Sequence, residues 1–333
     1  MPEKIVLTSS SMDSHGITIS REMLLDAVVS VNAPYKMRYL VNHKREYPLL
    51  GFLDDAELIR KDEVDLVVAQ PIFYTSQESV TWDENLLLER PIYPVKLKMR
   101  GENVASFVVT LDPNNFKTTQ DYFRTVSDIQ NATSEVLKVK TDMRKNQIPE
   151  PRLIISLAAY YTVLHPFVKP FLKKMGEKMA EDFGADIYEG TKENLKMLAA
   201  NIRHVVTLTR KNTIPQNKTL MVIFEIPGMP YIELHARTDN ADLIATGLSP
   251  YQLAKMHIRL NQLGQNVEIA EAHFNLTERG SWIFTYLLTP EGIQIGTKTI
   301  FKKRDKLIRR IKLSPTYGHS IGADVIYECK QNG

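Results

Sequence analysis

The chain has 333 residues, with 42 Lys+Arg against 39 Asp+Glu, and is 43% hydrophobic and 24% charged. These values exclude a disordered, collagen-like or fibrous chain and leave room for two domains at about 100–200 residues each. A net charge of +3 is nearly neutral, so any affinity for nucleic acid has to come from a local patch.

The single cysteine, Cys329, excludes an intrachain disulfide and a Cys-based zinc site, which fits a reducing compartment. The N-terminus lacks the basic and then apolar segments of a signal peptide. The longest apolar run, Leu153 to Leu164, falls short of the roughly 20 residues that span a bilayer. These features predict a cytoplasmic protein without membrane contact.

In chain order, the first 113 residues read as strand-rich. KIVLT, KMRYLVNH ending at His43, and EVDLVVAQPIFY from Glu63 carry β-branched and aromatic residues between turn formers. PVKLKM and NVASFVVTL flank Arg100-Gly101-Glu102 as a predicted hairpin. Ser20 is placed to cap a helix through Met23, Leu24, Ala27 and Val28. Thr75 and Glu78 form a T-x-x-E capping box ahead of a second helix over SVTWDENLLLE. This order predicts a mostly antiparallel sheet or small barrel.

From Thr118 to Lys145 there is no Gly or Pro, and Tyr122, Val126, Ile129, Val136 and Val139 trace an apolar stripe. This predicts a long helical connector over 114–150, broken by IPEP at Ile148–Pro151. The remainder, 151–333, reads as an α+β domain. It opens with a buried helix from Leu153 that bends at Pro166 and Pro170, and a second helix follows near Thr191. Two hairpins are expected, MVIFEIP with YIELHART and VEIAEAHFNL with SWIFTYLLT. Between them lies a helix with Ser249 as cap and Pro250 in its first turn, and a short basic helix comes near the end. The predicted fold class is α+β: an N-terminal antiparallel β-rich, barrel-like domain, the connector, and a C-terminal α+β domain with β-hairpins.

The sequence has no GxGxxG, GxxxxGK[ST], HExxH, GxSxG or CxxC motif in a fitting context. The segment from Met12 to Leu58 carries Asp13 and Gly16, a helix after Ser20, a strand ending in His43, and then Arg45, Pro48 and Gly51. This order resembles the capsid-assembly (prohead) serine proteases of tailed phages. The resemblance selects Ser106, ahead of the Asp-Pro-Asn-Asn-Phe segment, as nucleophile. It makes His43 the general base and Asp13 the residue that orients it, with no cofactor or metal required. An imidazole is needed because a serine hydroxyl is a weak nucleophile until its proton is removed. Ser76 is the rival serine, although its place in the Thr75–Glu78 box favours a capping role. The resemblance implies scaffold or capsid proteins as substrates and a homo-oligomer as the acting form. Without catalysis, His43 is a strand-end histidine, Ser106 a sheet residue and Asp13 a turn former.

A second constellation is the repeated Glu-x-His, Glu233–His235 and Glu271–His273. Alternation puts each pair on one strand face, where adjacent strands would offer four ligands to a metal. The other reading is a solvated sheet face shared with Tyr231 and Arg237. The third is the run Lys302, Lys303, Arg304, Lys306, Arg309, Arg310 and Lys312, broken only by Asp305. It suits phosphates or an acidic partner, or a solvated helix face with Leu307, Ile308 and Ile311 docked. The sequence therefore supports a serine peptidase first. The alternative is a non-catalytic interaction or sensing protein, in phage assembly or antiphage defence, with a partner-binding or nucleic-acid-binding C-terminal domain.

Overall fold

The structure, a computed structural model, describes residues 4–11, 18–97, 107–133, 137–141, 151–157 and 189–310. Its first elements are β1 (Ile5–Ser9), α1 (Arg21–Val31), β2 (Met37–Tyr39), a 3-10 turn at Val41–His43, β3 (Gly51–Lys61), β4 (Val64–Phe73), β5 (Glu78–Ser79) and β6 (Leu86–Glu89). Then come β7 (Phe107–Leu111), α2 (Thr119–Thr133), β8 (Leu137–Thr141), β9 (Arg152–Ser156), α3 (Glu189–Asn212), β10 (Met221–Ile226) and β11 (Tyr231–Arg237). The last are α4 (Ala241–Gly247), α5 (Pro250–Gly264), β12 (Glu271–Leu276), β13 (Trp282–Leu288), β14 (Gln294–Thr297) and α6 (Lys298–Arg310). The class is α+β, as predicted.

Two compact units divide the chain: Met1–Met99 with Thr285–Gly333, and Arg100–Phe284. The sequence reading places its boundaries at 113 and 150 instead. Among the described residues, no helix is long and apolar enough to cross a membrane.

In the first unit, β1-β4-β3-β2 form an antiparallel sheet. Helix α1 starts at Ser20, whose hydroxyl accepts from the Met23 amide at 3.3 Å, as the cap pattern predicts. Its Leu24 and Val31 pack with Leu7, Leu53, Val67 and Ala69. A two-residue turn at Asp62-Glu63, both with positive φ, joins β3 to β4, the backbone that suits the twist of a tight hairpin. A Cβ on Gly51 would lie 2.0 Å from the Ile72 carbonyl oxygen, so the strands meet there only because residue 51 has no side chain.

Four sequence expectations give way. Thr75–Glu89 is not a helix: β5 pairs with β6, and the Thr75 hydroxyl accepts from the Arg90 amide across that pair. The connector helix ends at Thr133, and Leu137–Thr141 pairs as a parallel strand with β7. Residues 152–156 form strand β9 in place of the start of a helix. Of the hairpin expected around Gly101, residues 98–106 lie outside the described residues, Pro94–Leu97 is not strand, and Phe107–Leu111 pairs with β8 and β9.

Strands β5, β6 and β14 adjoin in that order, and on them sits the polar centre of the first unit. Glu89 on β6 is buried and receives both Arg304 Nη groups, each at 2.7 Å. Arg304 Nη1 also donates to the Leu49 carbonyl at 3.0 Å. Gln294 donates to Glu89 and to the Leu49 carbonyl, and accepts from the Leu49 amide at 3.0 Å. Burial of Arg304 corrects the reading of the basic run as one uniform charged face. Lys302, Lys303, Lys306 and Arg309 are exposed, whereas Arg304 is the anchor of α6. Lys312 and Ile311 lie outside the described residues, as does the Arg310 side chain.

Loss of one partner from a buried pair leaves an uncompensated charge, at a cost of about 3–5 kcal/mol. Arg304→Met is therefore expected to lower the urea-unfolding free energy by roughly that amount. Arg304→Met combined with Glu89→Leu recovers most of it. Additive losses in the double variant would show that the pair is not the anchor.

Candidate metal centre

The second unit is built on strands in the order β12-β11-β10-β9-β7-β8. β10 and β11 form the predicted antiparallel hairpin, and β11 and β12 run parallel. A turn at Thr277–Ser281, with Gly280 at φ 76°, leads from β12 into β13 as its Gly suggests.

Alternation gives this sheet two different faces. Val222, Phe224, Ile232, Leu234, Ala236, Ala272 and Phe274 occupy one and are all buried apolar residues. The opposite face carries Ile154, Met221 and Ile223, which cluster together. It continues into Tyr231, Glu233 and His235 of β11, and Glu271 and His273 of β12. Every residue of β11 from Tyr231 to Ala236 is buried. The solvated face that the sequence permits is thus excluded: Glu233 is 0% exposed, His235 2%, Glu271 2% and His273 4%.

The strand register brings the two Glu-x-His motifs together. Glu233 stands opposite His273, and Tyr231 opposite Glu271. Glu233 Oε2 lies 3.2 Å from His235 Nε2 and 3.7 Å from His273 Nδ1, and the two imidazole nitrogens are 3.4 Å apart. Among the described residues this is the one cluster of three or more His, Cys, Asp or Glu groups arranged to hold a metal ion. Zn–N and Zn–O bonds of about 2.0–2.1 Å in a tetrahedron require ligand–ligand edges of about 3.3–3.4 Å. The three observed edges straddle that value. Glu271 stands on the other side of His273, with Oε2 3.7 Å from Nε2.

The electrostatics favour ligation. Burial is the largest influence on His273 and pushes its pKa below the ordinary 6.5, against the pull of Glu271 and Glu233. Its ring is therefore neutral at pH 7, the form that offers a lone pair to a cation. His235 Nδ1 has no hydrogen-bond partner among the described residues.

Of the peptidase residues, His43 ends the 3-10 turn, half-buried, in a left-handed backbone conformation with φ 54°. Asp13 and Ser106 lie outside the described residues, as does Gly16. Arg45, selected by the same resemblance, is buried, and its carbonyl accepts from the Tyr286 hydroxyl at 2.9 Å. Ser76 is exposed beside β5. Comparisons with protein-family models, curated proteins and solved structures give no match.

A pH dependence follows for chelator-treated protein. Because the folded-state pKa of His273 is depressed, the unfolded chain binds the extra proton more readily. Its contribution is present in full above about pH 6.5 and is lost as pH falls below that value towards the folded-state pKa. Urea-unfolding free energies between pH 7.5 and 5 should fall on acidification, and His273→Asn should flatten the slope. Equal slopes in the two proteins would contradict the assignment.

Proposed function

We propose that this protein is a metal-binding protein, whose second unit holds one divalent transition-metal ion, Zn²⁺ first among them, on Glu233, His235 and His273. The observation that carries this reading is the near-tetrahedral spacing of 3.2, 3.4 and 3.7 Å among three ligand atoms from two adjacent strands. Two imidazoles and a carboxylate form a borderline donor set that suits zinc, with iron, nickel or copper as competitors. Side chains this deeply buried favour an ion that ties β11 to β12 over one presented to a macromolecular substrate. The reading belongs with the non-catalytic alternative, an interaction or sensing protein with a metal-stabilised domain.

Metal analysis after purification in zinc-containing buffer should return one equivalent per chain. Zinc at 100 times its dissociation constant should add about 2.7 kcal/mol to stability. His235→Ala and His273→Ala should each weaken binding by more than the roughly 10–100-fold typical of outer-shell losses. Binding of less than 0.1 equivalent by wild type, or unchanged affinity in both variants, would overturn the proposal.

One observation favours a second reading, a serine peptidase of the prohead-protease type with Ser106, His43 and Asp13. His43 holds a backbone conformation that residues other than Gly seldom adopt, and such conformations gather at functional sites. Casein and self-cleavage assays test it: activity should disappear in Ser106→Ala. Equal activity in that variant, or none in wild type, sinks this reading.

A further inference from the structure

The two Glu-x-His motifs are identical in sequence, but they do not face the cluster in the same way. Glu233 Oε2 lies on the inner side, within 3.7 Å of both His235 Nε2 and His273 Nδ1. Glu271 Oε2 lies on the outer side, 3.7 Å from His273 Nε2, an ion-pair distance longer than a hydrogen bond. His273 is thus bracketed by two carboxylates, one at each ring nitrogen. It is the ring of the pair that has a carboxylate at its outer nitrogen.

A neutral imidazole carries a single proton. If that proton sits on Nδ1, the nitrogen facing Glu233 and His235 cannot ligate. If it sits on Nε2, the Nδ1 lone pair points at the shared centre. Glu233 exerts the same pull on an Nδ1 proton until an ion neutralises it, and the carboxylate beside Nε2 then stabilises N–H there and makes the opposite nitrogen more basic. Glu271 is itself 2% exposed, so water competes little for this interaction. It stands two residues before His273 on the same strand face, which fixes it by the strand repeat and not by a mobile loop.

We propose that Glu271 is a positioning residue of the metal centre. From an ion-pair distance it favours the proton on His273 Nε2 through its charge, fixes the tautomer that presents Nδ1 to the ion, and does not itself ligate. The first motif supplies two ligands, and the second supplies one ligand and its orienter. This inference rests on the metal-centre reading, and its test separates the two.

Zinc affinity is measured by competition with a chromogenic chelator for wild type, Glu271→Gln and Glu271→Leu, using the full chain. Cobalt(II) absorption reports the coordination geometry. Glu271→Leu should lose about 10–100-fold in zinc affinity while retaining the tetrahedral cobalt spectrum of wild type. Glu271→Gln, whose amide oxygen still turns a partial negative charge towards Nε2–H, should recover part of the loss. Affinity within twofold of wild type in Glu271→Leu would overturn this inference and leave the metal centre standing. So would a changed cobalt geometry in Glu271→Leu, because it would make Glu271 a ligand. A wild type that binds neither zinc nor cobalt would overturn the metal centre itself. Should Glu271→Leu fail to fold, nitrogen-15 imidazole spectra of zinc-loaded wild type decide. Protonated Nε2 on His273 supports the assignment, and protonated Nδ1 defeats it.

Discussion

A carboxylate taken out of water must find compensating charge or hydrogen bonds, and both units of this protein are organised around that demand. In the first unit the demand is met outright. Glu89 receives a two-pronged guanidinium from Arg304 and an amide from Gln294, and these donors come from β14 and α6, far along the chain. The geometry is that of a paired charge in a dry site, where planarity and two parallel bonds give both strength and direction. In the second unit Glu233 is just as deeply buried, and the imidazoles of His235 and His273 stand within 3.7 Å of its Oε2. An imidazole answers a carboxylate with full charge only when protonated, and burial opposes protonation of His273.

The position of this cluster follows from the sheet. Strands β9, β10 and β11 are buried on both faces, so their side chains have no solvated side to which a charge can escape. One face is uniformly apolar. The other changes from Ile154, Met221 and Ile223 to Glu233, His235 and His273 across adjacent strands. A polar patch next to tightly packed apolar neighbours is held rigidly, because those neighbours sit in a close-packed interior. Rigid placement of donors is what a metal site requires.

Local chemistry was readable where it was sufficient. Ser20 caps its helix, Ser249 precedes the next without a side-chain cap bond, the Gly280 turn joins β12 to β13, and Glu-x-His alternation predicts shared faces. Other features depend on partners distant in sequence. The Thr75–Glu78 box is a sound capping pattern, but Leu86–Glu89 has β14 as a neighbour and is drawn into the sheet. The apolar run from Leu153 fits a buried strand and a buried helix equally, because neither has a polar side to mark its period. The Asp62-Glu63 turn carries neither Gly nor Asn, so nothing in its composition announced two positive-φ residues. Arg304 looks like its six cationic neighbours until Glu89 is placed beneath it, 215 residues away. Burial of Glu233 and His235 was likewise invisible, because Tyr231 and Arg237 on the same side allow a wet face.

The parallel pairing of β11 with β12 also bears on how the chain acquires its final state. Antiparallel neighbours can zip from a short turn, but these two strands are separated by α4, α5 and the segments around them. His235 and His273 therefore meet only after a long loop has closed, an entropic toll that local segments do not bear. A nascent or unfolded chain displays its Glu-x-His pairs as isolated two-donor fragments, which hold an ion weakly. A captured ion would then mark completed topology instead of seeding it, the reverse of the order in a zinc finger, where coordination precedes and drives the fold.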